Sequence, residues 1–170
     1  MTGLVREATD ADWTRIWPFF SAIVTAGETY AFPLDLTEET GRDWWMERPP
    51  GRTVVLEDGE QVLGSAKMGP NRPGRGDHVG TASFMVAPEA RGRGVGRTLA
   101  EHAVQWHRDA GYRGIQFNAV VETNLAAIRL WQSLGFEIIG TVPGAFRSAS
   151  RGYVGLHVMY LSLVPTLTRR

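Results

Sequence analysis

Val86-Ala87-Pro88-Glu89-Ala90-Arg91-Gly92-Arg93-Gly94-Val95-Gly96-Arg97-Thr98-Leu99 is the stretch on which the fold turns. It reads as the end of a strand, a proline-marked turn and a glycine-rich run that opens an amphipathic helix. Glycines at 92, 94 and 96 leave backbone N–H groups uncovered by side chains. Those donors, with the positive end of the helix dipole, make an anion site. Arg91, Arg93 and Arg97 bring guanidinium forks that match phosphate oxygens. The run from Arg91 through Val95 to Thr98 therefore predicts a pyrophosphate cradle. It is not a Walker A loop, because no Gly-Lys-Ser/Thr closes it. Nor is G-x-G-x-G the G-x-G-x-x-G of a dinucleotide fold, in which one strand precedes the loop rather than several. A purely structural glycine turn is the competing reading, against which the arginines and the strand-to-helix context weigh.

Upstream of the cradle, residues 3–8 predict a first strand. Thr9 or Asp10 then caps a helix through Trp13, Ile16, Trp17, Phe20 and Val24, ended by Gly27. After the loop ETYAFPLDL, Thr37 and two glutamates start a second helix that stops before Pro49-Pro50. RTVVLEDGEQVLGSAKMG is a hairpin around Asp58-Gly59, NRPGRGD a turn, and HVGTASFMV a strand. Downstream, 94–110 is a helix, 114–121 a strand, and Asn124 opens a helix closed by Gly135. FEIIGTV and GYVGLHVMYLSLV are the closing strands. The order predicts one α/β domain over 1–170, with a mixed, mostly antiparallel sheet and four helices. The strands on either side of the 94–110 helix should be parallel.

Composition removes several classes of function. Eighteen basic residues balance eighteen acidic ones over 170 residues, so no positive surface for nucleic acid is expected. Lys67 is the one lysine, a bias read as lineage preference. With no cysteine, thiol catalysis, thiolate metal sites and disulfides are out, which fits a reducing, cytoplasmic setting. Neither a signal peptide nor a membrane span is legible, and no His/Asp/Glu cluster has metal spacing.

R-G-R-G-V-G after a V-A-P turn resembles the pyrophosphate loop of the GCN5-related N-acetyltransferases. N-L-A-A-I-R-L-W-Q-S-L-G-F from Asn124 to Phe136 is similar to that family's second signature, the helix beside the pantetheine arm. Within the family, Gly27-Glu28-Thr29-Tyr30-Ala31-Phe32 resembles the acceptor-side loop of phosphinothricin acetyltransferases. Asn118 and Asn124, six residues apart, resemble the paired asparagines of yeast proline-analogue acetyltransferases. The resemblance implies acetyl-CoA as co-substrate and a V-shaped splay between strands 81–87 and 114–121, with a β-bulge near Phe84. Backbone groups around Met85 and Val86 would pair with pantetheine, and an N–H near Val86 would polarise the thioester. Asn124 would steady the cofactor, while Glu28, Thr29, Tyr30, Thr81 and Asn118 would hold a small amine or amino acid. A homodimer is also implied.

Two positions depart from the resemblance. Thr81 stands where phosphinothricin acetyltransferases carry a glutamate, and a threonine is no base at neutral pH. Trp131 stands where many members have a tyrosine acid, and an indole N–H cannot protonate a thiolate. Glu28 and the Asp77-His78 pair are the remaining base candidates. His102 and His107 read as packing or surface residues, and the N-terminal tryptophans as core or as an acceptor wall. Asn118 and Asn124 could equally be a bonded strand amide and a plain helix cap. Two other readings stay open: acetylation of a protein N-terminus or lysine, and a non-catalytic acyl-CoA-binding module. Catalysis by positioning predicts an activity–pH profile that follows deprotonation of the acceptor amine. Glu28→Gln and His78→Ala should each stay within about tenfold of the parent rate, about 1.4 kcal/mol. Loss of several orders of magnitude in either variant would identify a base.

Overall fold

Residues 3–164 are described by a computed structural model. Among them, one sheet holds β1 (Leu4–Glu7), β2 (Arg52–Asp58), β3 (Gln61–Pro70), β4 (Val79–Val86), β5 (Gly114–Val121), β6 (Glu137–Ser148) and β7 (Gly152–Ser162). The spatial order is β1-β2-β3-β4-β5-β7-β6. The helices are α1 (Trp13–Ala26), α2 (Glu38–Trp45), α3 (Val95–Asp109) and α4 (Leu125–Ser133). Neighbouring strands are antiparallel except β4 and β5, which the α3 crossover makes parallel.

The β4–β5 ladder is registered at just two positions, Val79↔Gly114 and Gly80↔Ile115. Both of its faces are crowded. A Cβ on Gly80 would lie 2.1 Å from the His107 ring, and one on Gly114 would lie 2.2 Å from the Tyr160 hydroxyl. Glycine is what lets a buried helix residue and a cross-strand tyrosine press on the last paired rungs. Beyond them the registered pairing stops, and Phe84 and Phe117 of the two arms meet edge to face at 6.0 Å. Trp131 of α4 packs 4.8 Å from Phe84 on β4 and 4.9 Å from Phe117 on β5, ring centre to ring centre. Such pairs contribute about 0.5–1.5 kcal/mol each beyond burial, so the three rings fix the position of α4 on the two arms.

Alternation assigns the faces. Ser65 on β3 accepts the Trp45 indole N–H at 2.8 Å, so Met85 opposite it, with Ser83 and Thr81, faces α1 and α2. Phe84 and Val86 face α3 and α4, where Phe84 meets Trp131 and Val86 lies near Gly96. Trp13 and Trp45 belong to the core, whereas Trp44 is 42% exposed. Packing thus claims two of the tryptophans that the acceptor-wall reading would use.

Three local expectations need correction. A 3-10 turn, Asp10–Asp12, precedes α1, because Thr9 and Asp12 form a reciprocal cap there. The strand that the sequence ends at Val142 continues to Ser148. Pro143 and Gly144 are absorbed as an irregularity between Val142 and Phe146 on an edge strand, where the proline's missing N–H leaves no outer neighbour without a donor. The expected bulge near Phe84 is absent: β3–β4 runs in register from Gly64↔Val86 to Pro70↔Gly80. The irregularity sits on the other arm, between Phe117 and Val120.

His107 is fully buried, its Nδ1 donating to Ala103 O at 2.7 Å, while Nε2 has no partner among the described residues. Burial pushes its pKa down from the ordinary 6.5, so the unfolded chain binds this proton more readily than the folded one. Stability should be full above the unfolded value and fall as pH drops below it toward the folded value. His102 shifts in the same direction. Denaturant melts between pH 7.5 and 5.5, conditions chosen around that value of about 6.5, should show this loss, and His107→Leu should lessen it.

Candidate active site

The helix α3 begins without a side-chain cap. Its N-cap is Gly94, at φ 80°, whereas α2 and α4 are capped by Thr37 and Asn124 bonding the amides of Thr40 and Ala127. The first helical N–H groups, on Val95, Gly96 and Arg97, therefore have neither an intrahelical acceptor nor a capping oxygen. Gly92, at φ 74°, turns the chain into this start. Arg91 is exposed and makes no ion pair among the described residues. Arg93 leans on Asp58 at 3.4 Å, and Arg97 is steered by Glu101 at 3.5 Å and the Ser133 hydroxyl at 2.9 Å. Thr98 is turned inward, its amide and hydroxyl both bonded to Gly94 O.

Along β4 the free edge is set by parity. The amide of Ala87 donates to Leu63 O, and Asn71 N to Val79 O, so odd-numbered residues of β4 face β3. Met85, 1% exposed, thus turns its backbone to β3, and the open side of the splay belongs to Phe84 and Val86. Tyr30 already occupies Phe84: its hydroxyl accepts that N–H at 3.0 Å and donates to the same residue's carbonyl at 2.6 Å. Burial pushes the phenol pKa well above its usual value. Val86 is left as the open backbone position nearest the glycine loop.

On the α1–α2 face, Asn118 lies within the β5 irregularity. Its amide accepts from Gln116 at 2.8 Å and donates to Asn71 Oδ1 at 2.6 Å. Thr81 shares this face. Asn124 caps α4, its Oδ1 accepting Ala127 N at 3.3 Å, and its Nδ2 has no partner among the described residues. Glu28 is committed elsewhere: its carboxylate accepts the Ser148 hydroxyl at 2.5 Å and Ser150 N at 2.8 Å. These bonds, Ser148 foremost, hold its carboxyl below the usual range and make it a weaker base. Thr29 makes no side-chain hydrogen bond among the described residues, and His78 is exposed.

Two polar residues escaped the sequence reading. Asn71, within what reads as a plain turn, reaches Asn118 across the end of β4. Glu122 accepts Gly155 N at 2.5 Å, and a Cβ on Gly155 would lie 2.6 Å from that carboxylate. Gly155 therefore offers space rather than chemistry. No pattern within either segment signals these pairings, because the partners meet through the sheet.

An uncapped helix start beside a splayed parallel pair, with a polar opposite face, defines an acyl-transfer fold. Residues 13–136 match the Acetyltransferase (GNAT) family, and the chain belongs to it. A GCN5-related N-acetyltransferase from Kribbella flavida is similar at 58% identity and TM-score 0.92, over 95% of this chain and 98% of that one. An L-methionine sulfoximine/L-methionine sulfone acetyltransferase of Pseudomonas aeruginosa is 32% identical over 98% of both chains. The Salmonella typhimurium protein yncA, solved with its cofactor acetyl-CoA, shares the fold at TM-score 0.86 and 24% identity, over 100% of this chain and 99% of that one. The chain is thus an acetyl-transferring enzyme rather than a non-catalytic module.

Left-handed backbone at Gly94 makes a sharp test. A β-branched residue there would meet about 1–2 kcal/mol of backbone strain and cover the helix start. Calorimetry on a folded Gly94→Val variant should show acetyl-CoA affinity reduced by at least about tenfold.

Proposed function

We propose that this enzyme transfers an acetyl group from acetyl-CoA to the nitrogen of a small amine or amino acid. The observation that carries the reading is the continuity between the uncapped start of α3 and the open edge of β4. The residues fit the ligand. The amides of Val95, Gly96 and Arg97, the Gly92–Gly94 turn and the exposed Arg91 suit a pyrophosphate, and Val86 offers a strand edge to an extended amide-bearing arm. Acetyl-CoA supplies the acyl group as an activated thioester.

The protein's own residues then have separable tasks. The open Val86 N–H would bond an amide carbonyl of the extended arm, and an N–H beside it on the edge would polarise the thioester. Asn124, anchored by its oxygen, keeps an Nδ2 donor for the cofactor side. Asn118 and Thr81 hold the acceptor, with Asn71 and Gln116 fixing the Asn118 amide plane. Glu28 positions the acceptor loop by tying it to the β6–β7 turn. Proton movement is left to water, since Trp131 has no acidity to offer and lies packed against Phe84 and Phe117.

The 27–37 loop lies over β4 through Tyr30, which supports a covered pocket for a small acceptor over an open groove for a polypeptide. The amino-acid acceptor named for the Pseudomonas relative supports the same class. Ile138, Ile139 and Val142 on edge strand β6, with Tyr153 beside them, are exposed and would suit a second copy of the chain as a homodimer surface. No described helix is long and apolar enough to cross a membrane. A cytoplasmic setting accords with the absence of cysteine.

Release of free CoA should be followed across a panel including methionine sulfoximine, phosphinothricin, cyclic imino acids and a lysine peptide. Turnover with one of the small acceptors and none with the peptide is expected. Asn118→Ala should raise the acceptor KM or lower kcat with acetyl-CoA affinity intact. Asn124→Ala should weaken the cofactor side and cost about 1 kcal/mol of stability through the lost cap. An Asn118→Ala variant that melts lower with unchanged acceptor kinetics would make that residue structural.

A further inference from the structure

We propose that the Tyr30 hydroxyl is a stand-in for the acyl end of acetyl-CoA on the β4 edge, and that binding of acetyl-CoA displaces it. The inference rests on the acetyl-CoA reading above and adds a positioning residue that sits on the strand edge itself.

The Tyr30 hydroxyl and an incoming carbonyl compete for one hydrogen. A backbone amide carries a single N–H, and that of Phe84 already donates to Tyr30 at 3.0 Å. The same hydroxyl donates to Phe84 O at 2.6 Å, so one side chain satisfies both edge groups of one residue. In this respect Tyr30 does for β4 what a paired strand would do. Val86 lies nearer the glycine loop and Phe84 farther along the edge. A ligand anchored by its pyrophosphate at the start of α3 and extended along β4 meets Val86 first, and its acyl end reaches Phe84. A carbonyl arriving there takes the Phe84 N–H only if Tyr30 releases it.

The loop is constructed for such a release. Its ends are fastened by Ala149 N to Gly27 O at 3.0 Å, by Glu28 on Ser148 and Ser150, and by the Thr37 cap of α2. Between 29 and 36, among the described residues, the hydrogen bonds are those of Tyr30 alone. The Tyr30 ring rests on Phe32 at 5.0 Å and Trp45 at 6.1 Å, contacts that a phenylalanine keeps. A proton-donor role for this phenol is the rival assignment. Burial makes the phenol harder to deprotonate, which argues against it.

CoA ends in a thiol and brings no acyl carbonyl, so it has no claim on the Phe84 N–H. Tyr30→Phe should therefore bind acetyl-CoA about tenfold more tightly than the parent while CoA affinity stays within about twofold, the hydroxyl's competing bonds being gone. Titration calorimetry with both ligands, with thermal melts to confirm folding, gives these ratios. In the unsubstituted fold, 3-fluorotyrosine at position 30 should shift its 19F resonance with acetyl-CoA and not with CoA. Unchanged or weaker acetyl-CoA binding by folded Tyr30→Phe, equal tightening for both ligands, or a silent fluorine resonance would each overturn the proposal. Failure of the unsubstituted chain to bind acetyl-CoA would overturn the parent reading and this one together.

Discussion

The open edge in this fold depends on two parallel strands, β4 and β5, that are paired for two rungs and then part. At the rungs, Gly80 and Gly114 admit His107 and Tyr160 at distances no Cβ would tolerate. Past them, Phe84 and Phe117 meet edge to face at 6.0 Å and Trp131 packs on both, while the ladder is no longer registered. The cost is a stretch of β4 whose N–H and C=O groups lack a strand partner. Unpaired backbone groups away from water are expensive, so an open edge inside a sheet is kept for a ligand or filled by a substitute.

Both solutions are present on one edge. Tyr30 satisfies Phe84, and Val86 is presented unfilled beside the start of α3. The 27–37 loop is thereby tied to the β4 edge at one point and to the β6–β7 turn at another, where this eleven-residue connection carries Glu28. A carboxylate bonded to one hydroxyl and one amide is well suited to holding a loop and poorly suited to taking a proton. The positions at which relatives by resemblance carry an acid and a base hold Trp131 and Thr81 here. What remains near the splay is a pair of fixed amides: Asn118 held between Gln116 and Asn71, and Asn124 held onto Ala127. Fixed dipoles need no reorganisation during reaction, which is how positioning and carbonyl polarisation accelerate acyl transfer.

Much of this was legible in the chain, and the failures share a cause. The glycine-arginine run, the caps at Thr37 and Asn124, the Asp58-Gly59 hairpin and the parallel crossover are local patterns, each set within a few residues by dihedral preference or hydrophobic period. Ending the strand at Val142, before Pro143, failed because an edge strand tolerates a missing donor that an inner strand would not. Met85 seemed as available as Val86 because both lie at the right point of β4. Which of them faces the splay depends on hydrogen-bond parity with β3, and parity is a property of two strands.

The sequence by itself therefore determined the order of the strands and α-helices and the glycine-rich, uncapped start of α3, because these follow from short-range sterics and from where backbone donors are left uncovered. Tertiary structure alone decided which backbone groups stay free, that Tyr30 fills the edge at Phe84, that Glu28 is a tether, and that Asn71 and Glu122 have partners at all. The physical reason is distance along the chain. Tyr30 and Phe84 are 54 residues apart, Asn71 and Asn118 47, and Glu28 and Ser148 120. Contacts of that span are set by how the sheet splays and how the hairpin returns, which no local pattern encodes.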